Sequence, residues 1–269
     1  PLIELPPPKI SDVEKAIGEN CARLINDGDC LQLGIGAIPD AVLLFLKQKK
    51  NLGIHSEMFS DGVVELVEAG VVNHAKKNFM PGKAIATFLM GTKRLYDYVD
   101  NNPAVHMAPS TWVNNPYIAG QNDNLVSVNS CVQVDLLGQV CSESVGPTQI
   151  SAVGGQVDFV RAAALSRGGR SIIAMGSTAG GGKISKIVPV LDEGACVTTN
   201  RYDVEYVITE NGIANLKYRS VRERACMLID IAHPDFRDQL KEAFEKRFNA
   251  KYTPGVKPHM GDWPQLPLI

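Results

Sequence analysis

The chain reads as an α/β domain built on a largely parallel, open sheet with helices on both faces. Three observations predict this. Short apolar runs of strand type alternate with helix-type segments along most of the length, the pattern of strand–helix–strand units. Three glycine-containing bends, at Leu31–Asp40, Ser151–Phe159 and Met175–Lys183, share the layout of an apolar strand, a tight turn and a helix. Apolar residues make up 45% of 269, enough for one large core or two modest ones.

The elements follow in order. Val13, Ile17, Cys21, Leu24 and Ile25 recur at helical spacing, which predicts a first helix over Ser11–Asn26 with Ser11 as its N-cap. Cys30–Leu33 is a short apolar strand. Gly34-Ile35-Gly36 follows, then a helix over Pro39–Gln48, where Pro39 suits a first turn because its missing N–H goes unneeded. Asn51–His55 reads as a strand, Asp61–Ala69 as a helix, Ala84–Met90 as a strand and Thr92–Val99 as a helix. Residues 108–124, rich in Pro, Asn and Gly, read as a long loop of the functional or mobile kind. Strands are expected over Leu125–Leu137 and Gln139–Ser142, joined near Gly138. Val153–Leu165 is a glycine turn and a helix, and Ser171–Met175 a buried strand. Ile187–Leu191, Ala195–Thr199 and Tyr206–Thr209 are short strands, and helices near Val221–Ile231 and Asp235–Phe248 close the domain. Residues 1–8 include four prolines and read as an interdomain linker, 9–250 as the domain, and 251–269 as a wrapping or loose tail.

Lys and Arg total 27 against 29 Asp and Glu, a formal charge of −2, which offers no broad electrostatic case for nucleic acid or an acidic membrane surface. The longest apolar runs, such as Val42–Leu46 and Ile172–Met175, fall far short of the roughly 20 residues of a membrane span. The six cysteines form no CxxC pair and lie in apolar surroundings, so they read as reduced core thiols of a cytoplasmic protein. His74, His106, His233 and His259 are scattered without metal-ligand spacing, and no metal site is expected. His233-Pro234 reads as a cap or packing feature ahead of a helix. Asp135, Glu143 and the basic cluster Arg219–Arg224 read as solvated.

The glycine bends carry the first chemical signal. Backbone N–H groups at such a turn, beside a helix N-terminus, hold phosphate or a developing oxyanion. None of the three ends in the GK[ST] of a phosphate loop, and the first lacks the third glycine of a dinucleotide fingerprint. Glu57 is the acid best placed for chemistry, directly after the strand Asn51–His55, where α/β proteins keep their site residues. A carboxylate there serves as a base, a metal ligand or a nucleophile, or simply faces solvent ahead of a helix dipole. His55 is close enough in sequence to orient it. Glu210 stands in the same position after Tyr206–Thr209.

Five segments in order, LQLGIGAIPDAV (31–42), LGIHSEMFSDG (52–62), VGGQVDFVRAA (153–163), VTTNRYDVEYVITENGIANL (197–216) and RERACMLIDIAHPDFR (222–237), resemble the acetyl-CoA hydrolase/transferase family, from about residue 9 to about 250. The similarity is strongest to its 4-hydroxybutyrate and butyryl coenzyme A transferases. Members have two α/β domains of CoA-transferase type, and the chain resembles the C-terminal one. The resemblance implies transfer of coenzyme A between a short-chain acyl-CoA and a carboxylate acceptor such as acetate, with coenzyme A as substrate and no permanently bound cofactor. It implies Glu57 as nucleophile and the amides of Ile35 and Gly155 as oxyanion donors. Gly34, Ile35, Gly36, Ala37 and Ile38 would line coenzyme A, together with Ser151, Gly154 and Gly155 of the second turn. Ala152 stands where the family's second turn has its first glycine. Some members have a lysine where this chain has Gly180, and Lys183, three residues on, is the candidate here. An N-terminal half of the same enzyme and a homo-oligomer are the partners implied. A hydrolase on the same site, a non-catalytic coenzyme A or nucleotide module, and a sugar-phosphate isomerase on a similar fold are the competing readings.

Overall fold

The computed structural model describes residues 2–6, 8–34 and 36–255. In chain order it comprises α1 (Asp12–Ala22), β1 (Cys30–Leu33), α2 (Ala37–Leu44), β2 (Gly53–Ile54), α3 (Asp61–Glu68), α4 (Lys93–Val99), β3 (Leu125–Ser130), α5 (Gln156–Leu165), β4 (Arg170–Ala174), β5 (Tyr206–Thr209), β6 (Gly212–Asn215), α6 (Val221–Asp230) and α7 (Arg237–Phe248). The six strands form one sheet in the order β6-β5-β4-β3-β1-β2. All neighbours run parallel except β5 and β6, which form an antiparallel hairpin that blunts one edge.

Alternation along the strands sets the layers. Leu31, Leu33, Val126, Val128, Ile172, Ala174 and Ile208 face one side and pack with α1, α2 and α3. Ile173 and Val207 face the other with α6 and α7, while Cys30 and Leu125 meet Phe159 and Ala162 of α5 there. The sheet is therefore covered on both faces, as its unbroken apolar strands require. Phe59, Phe159 and Phe244 are among the largest fully buried side chains; burying each contributes about 1.5–3 kcal/mol.

Local chemistry explains the ends of the elements. Ser11 accepts from Glu14 N–H while the Glu14 carboxylate accepts from Ser11 N–H, a capping box that Ser220 and Glu223 repeat at α6. His233 Nδ1 accepts from Asp235 N–H, the expected cap. Residues 3–5 lie along α4, where Lys93 N–H donates to Glu4 and Tyr96 Oη to Ile3 O. At the other terminus Tyr252 packs on Phe244 and, with Gly255 N–H, donates to Asp230. The rest of the expected tail, 256–269, lies outside the described residues.

Several expectations need correction. The 108–124 segment contains two single helical turns, Ser110–Val113 and Pro116–Ala119, the second capped by Asn115. Ala84–Met90 breaks into Ala84–Ala86 and Phe88–Leu89, and Leu125–Leu137 into β3 and Gln133–Asp135. Ala195–Thr199 is no strand, with only an isolated bridge from Thr199 to Val140. The bend at Met175–Lys183 leads into a small hairpin, Thr178–Ala179 against Ile184–Ser185, and not into a helix. Strand β6 was not foreseen, because Gly212 and Asn215 dilute its apolar pattern.

Three polar residues expected in water are taken out of it to different degrees. Asp135 is buried and accepts from Leu137 N–H, Gln139 N–H and Gln139 Nε2. Glu143 is half-buried, and its Oε2 has no hydrogen-bond partner among the described residues. Arg224, the last residue of the basic cluster, is buried and donates to the carbonyls of Leu137, Leu216 and Arg201 at 2.7–2.8 Å. Five of the six cysteines are buried, while Cys196 is half-buried. Among the described residues no helix is long and apolar enough to cross a membrane.

Candidate active site

The sheet order reverses at β1, because β2 lies on one side of it and β3 on the other. Open parallel sheets bind ligands outside the carboxyl ends of strands at such a switch point. Glu57 stands there.

The backbone reaches it by changing neighbours. His55 N–H donates to Leu31 O at 3.0 Å, the last backbone rung to β1, but Ser56 N–H donates to Ile85 O at 3.0 Å. The Glu57 carbonyl then accepts from the N–H groups of Thr87 and Phe88 at 2.9 and 3.1 Å. Hydrogen bonds on both flanks hold a half-buried carboxylate on fixed backbone.

Opposite lies Gly155, at the N-cap of α5. Its φ of −89° and ψ of 2° suit any residue; space is what demands glycine. A Cβ built there would lie 2.5 Å from Glu57 Oε2 and 2.6 Å from Asn114 Nδ2. The carboxylate and the amide thus share the small space over the Gly155 backbone. Asp158, in the first turn of α5, is held above the ordinary carboxylate range by burial and then by the charge of Glu57.

Asn114 is the residue that sequence reasoning missed. It is buried, and its Oδ1 has no hydrogen-bond partner among the described residues. Its only signal was the long Pro- and Asn-rich segment that carries it.

His55 does not orient Glu57. Its Nε2 donates to Val113 O at 2.8 Å and its Nδ1 accepts from Asn122 Nδ2 at 3.1 Å, with the ring stacked on Trp112. Burial pushes its pKa down to about 4, so the ring is neutral. It fastens the segment that bears Asn114.

The remaining candidates are distributed around this centre. Gly34 continues β1, with its N–H donating to Val128 O at 2.8 Å. Gly36 has a φ of 116°, which L side chains rarely adopt, and Ala37 and Ile38 open α2. Ile35 lies outside the described residues. Ser151 and Gly154 are exposed on the approach to Gly155. Lys183 is exposed beside Gly180, Gly181 and Gly182, all with positive φ, at the tip of the small hairpin. Glu210 belongs to the framework of that hairpin, since its carboxylate accepts from both the N–H and the hydroxyl of Ser177. Between α2 and α3 an apolar cavity of about 300 Å³ is lined by Leu43, Met58 and Met90, with Asp40 and Asp61 at its wall.

The profile of the acetyl-CoA hydrolase/transferase C-terminal domain matches residues 91–244. The chain belongs to the acetyl-CoA hydrolase/transferase family. It is 67% identical over 248 residues to the 4-hydroxybutyrate coenzyme A transferase of Clostridium kluyveri, covering 92% of this chain and 58% of that one. It is 44% identical over 241 residues to the butyryl-CoA:acetate CoA-transferase of Anaerostipes caccae, covering 88% and 54%. Among solved structures, RipA from Yersinia pestis superposes with a TM-score of 0.87 at 46% identity, over 92% of this chain and 56% of that one. A 4-hydroxybutyrate CoA-transferase from Porphyromonas gingivalis superposes with a TM-score of 0.82 at 48% identity, over 92% and 58%. The α/β fold and the family expected from the sequence are both borne out. The chain spans little more than half the length of these relatives.

Proposed function

We propose that this chain carries the nucleophile of a short-chain acyl-CoA:carboxylate CoA-transferase, with Glu57 as that nucleophile. The observation that carries the reading is the Glu57 carboxylate lying over Gly155 at the switch point, where a single methyl group would displace it.

The chemistry suits a carboxylate. Glu57 attacks the acyl thioester carbonyl, the C–S bond breaks, and a mixed anhydride forms with coenzyme A released as thiolate. The thiolate attacks the glutamyl carbonyl and expels the acyl group as a free carboxylate, leaving a Glu57–coenzyme A thioester. An acceptor carboxylate attacks that thioester and runs the two steps in reverse, restoring Glu57. No net proton is exchanged, and thioester energy is retained that water would discard. Each tetrahedral stage calls for N–H donors about 2.7–3.1 Å from its oxygen. The Gly155 N–H, engaged in no hydrogen bond among the described residues, is one; the Ile35 N–H is the second. Gly34, Gly36, Ala37, Ile38, Ser151, Gly154 and Lys183 line the coenzyme A path, and an N-terminal half supplies the facing wall.

The test is intact-mass analysis of the natural full-length protein after addition of butyryl-CoA alone. A coenzyme A-sized adduct on Glu57, discharged by acetate and absent in Glu57→Gln, is expected. Steady release of coenzyme A without acceptor would replace this reading by the hydrolase. Tight binding of coenzyme A with no adduct would replace it by a binding module.

A further inference from the structure

Between Leu33, the last residue of β1, and Glu57 lies one side chain whose hydroxyl meets both backbone groups of Leu33. In the parallel pairing of β1, residues 30, 32 and 34 bond toward β3, and residues 31 and 33 toward β2. The rung at Leu31 is filled by His55 N–H. At Leu33 the next rung in this register would come from Glu57 N–H, but the backbone at Glu57 pairs with Thr87 and Phe88 instead. Leu33 would then keep a buried N–H and C=O with no rung to meet. The Ser56 hydroxyl fills both places: its Oγ accepts from Leu33 N–H at 3.2 Å and donates to Leu33 O at 3.1 Å. Ser56 is 1% exposed and Leu33 5%, so water cannot take over.

We infer that Ser56 is a positioning residue, its hydroxyl replacing the missing ladder rung and fixing the end of β1, with the Gly34 that continues it, relative to the Glu57 backbone. This rests on the transferase reading above. Gly34 follows Leu33 directly and Glu57 follows Ser56 directly, so the clamp joins the end of β1 to the nucleophile. The arrangement uses both capacities of a hydroxyl, one lone pair and one proton, on a single residue's N–H and C=O. Alanine supplies neither. Threonine supplies both, with one added methyl.

The effect belongs to geometry and not to substrate contact. A reacting group misplaced by about 1 Å loses about 10²-fold in rate. In the full-length protein, Ser56→Ala is expected to lower kcat by about 10²-fold with KM for acyl-CoA and for acetate within about threefold of the unsubstituted enzyme. Ser56→Thr is expected to recover most of kcat. Amide exchange at Leu33 should quicken in the alanine variant and not in the threonine variant. A kcat within about threefold of the unsubstituted value in Ser56→Ala overturns the inference. So does a variant that fails to fold, or one that raises KM as much as it lowers kcat, since either assigns Ser56 to the framework alone. Failure of the transferase reading shows separately, as an unsubstituted protein that releases no coenzyme A in response to acetate.

Discussion

Replacing Gly155 by alanine isolates the contact on which the site depends. The new Cβ would lie 2.5 Å from Glu57 Oε2 and 2.6 Å from Asn114 Nδ2, where ordinary contact begins at 3.4 Å. The carboxylate must therefore withdraw by about 0.9 Å, and a displacement of that order costs about 10²-fold in rate, or about 2.7 kcal/mol of barrier. The fold is spared. Both obstructing atoms are the far ends of side chains, and φ −89°, ψ 2° is open to alanine, whose smaller unfolded-state entropy offsets the crowding by about 0.4–1 kcal/mol. Steady-state transfer kinetics together with a thermal melt on the full-length protein check both halves. Transfer is expected to fall about a hundredfold while Tm stays within a few degrees, about what 1 kcal/mol would move it. A Gly155→Ala enzyme with unchanged kcat would refute the reasoning, because the carboxylate would then not need the space over that backbone.

Two further outcomes follow from buried charge. His55 and His74 are each pushed to about 4 from an ordinary value of 6.5, chiefly by burial and further by the charge of Lys77. As pH falls from about 6.5 to about 4 the unfolded chain takes up these protons and the folded one does not, so stability falls, by up to roughly 3 kcal/mol per histidine. Asp40, raised to about 6 by burial and by Asp61, acts in the opposite sense over the same window, its penalty growing as pH rises. Denaturant unfolding at several pH values should show stability rising with pH, and a smaller slope in His55→Asn; an unchanged slope would contradict the neutral buried ring. Arg224→Met strands the carbonyls of Leu137, Leu216 and Arg201. It is expected to cost at least about 3 kcal/mol in a urea titration, with the coenzyme A adduct at Glu57 still forming in the protein that remains folded.

The helix starts were legible because capping is a local transaction: Ser11 with Glu14 settles α1 within four residues. The parallel strands were legible because a strand covered on both faces must be apolar throughout, as Ile172–Ala174 is. Ala195–Thr199 looked equally apolar, yet pairing needs a neighbour at hydrogen-bond distance, and only Thr199 finds one. The third glycine bend failed likewise: three successive positive φ angles turn the chain back on itself, and propensity alone does not separate that hairpin from a helix start.

At the site the division is sharper. Glu57 was visible by itself, since a carboxylate just past an apolar strand in an α/β pattern stands at the sheet's carboxyl end, and the motif around it identified the family. Its surroundings were not visible, because they join positions distant in the chain. Asn114 comes to the Gly155 backbone on a segment that His55, 58 residues before Val113, holds by the Val113 carbonyl. Gly155 looked like a flexible turn residue, whereas its backbone is ordinary and its missing side chain makes room for an acid 98 residues away in sequence. Sequence by itself determined the residue types, the alternation that buries the sheet and the place of the nucleophile along its strand, all of them properties of a few consecutive residues. Tertiary structure alone decided which groups face that nucleophile, because close approach between distant segments depends on how the layers pack.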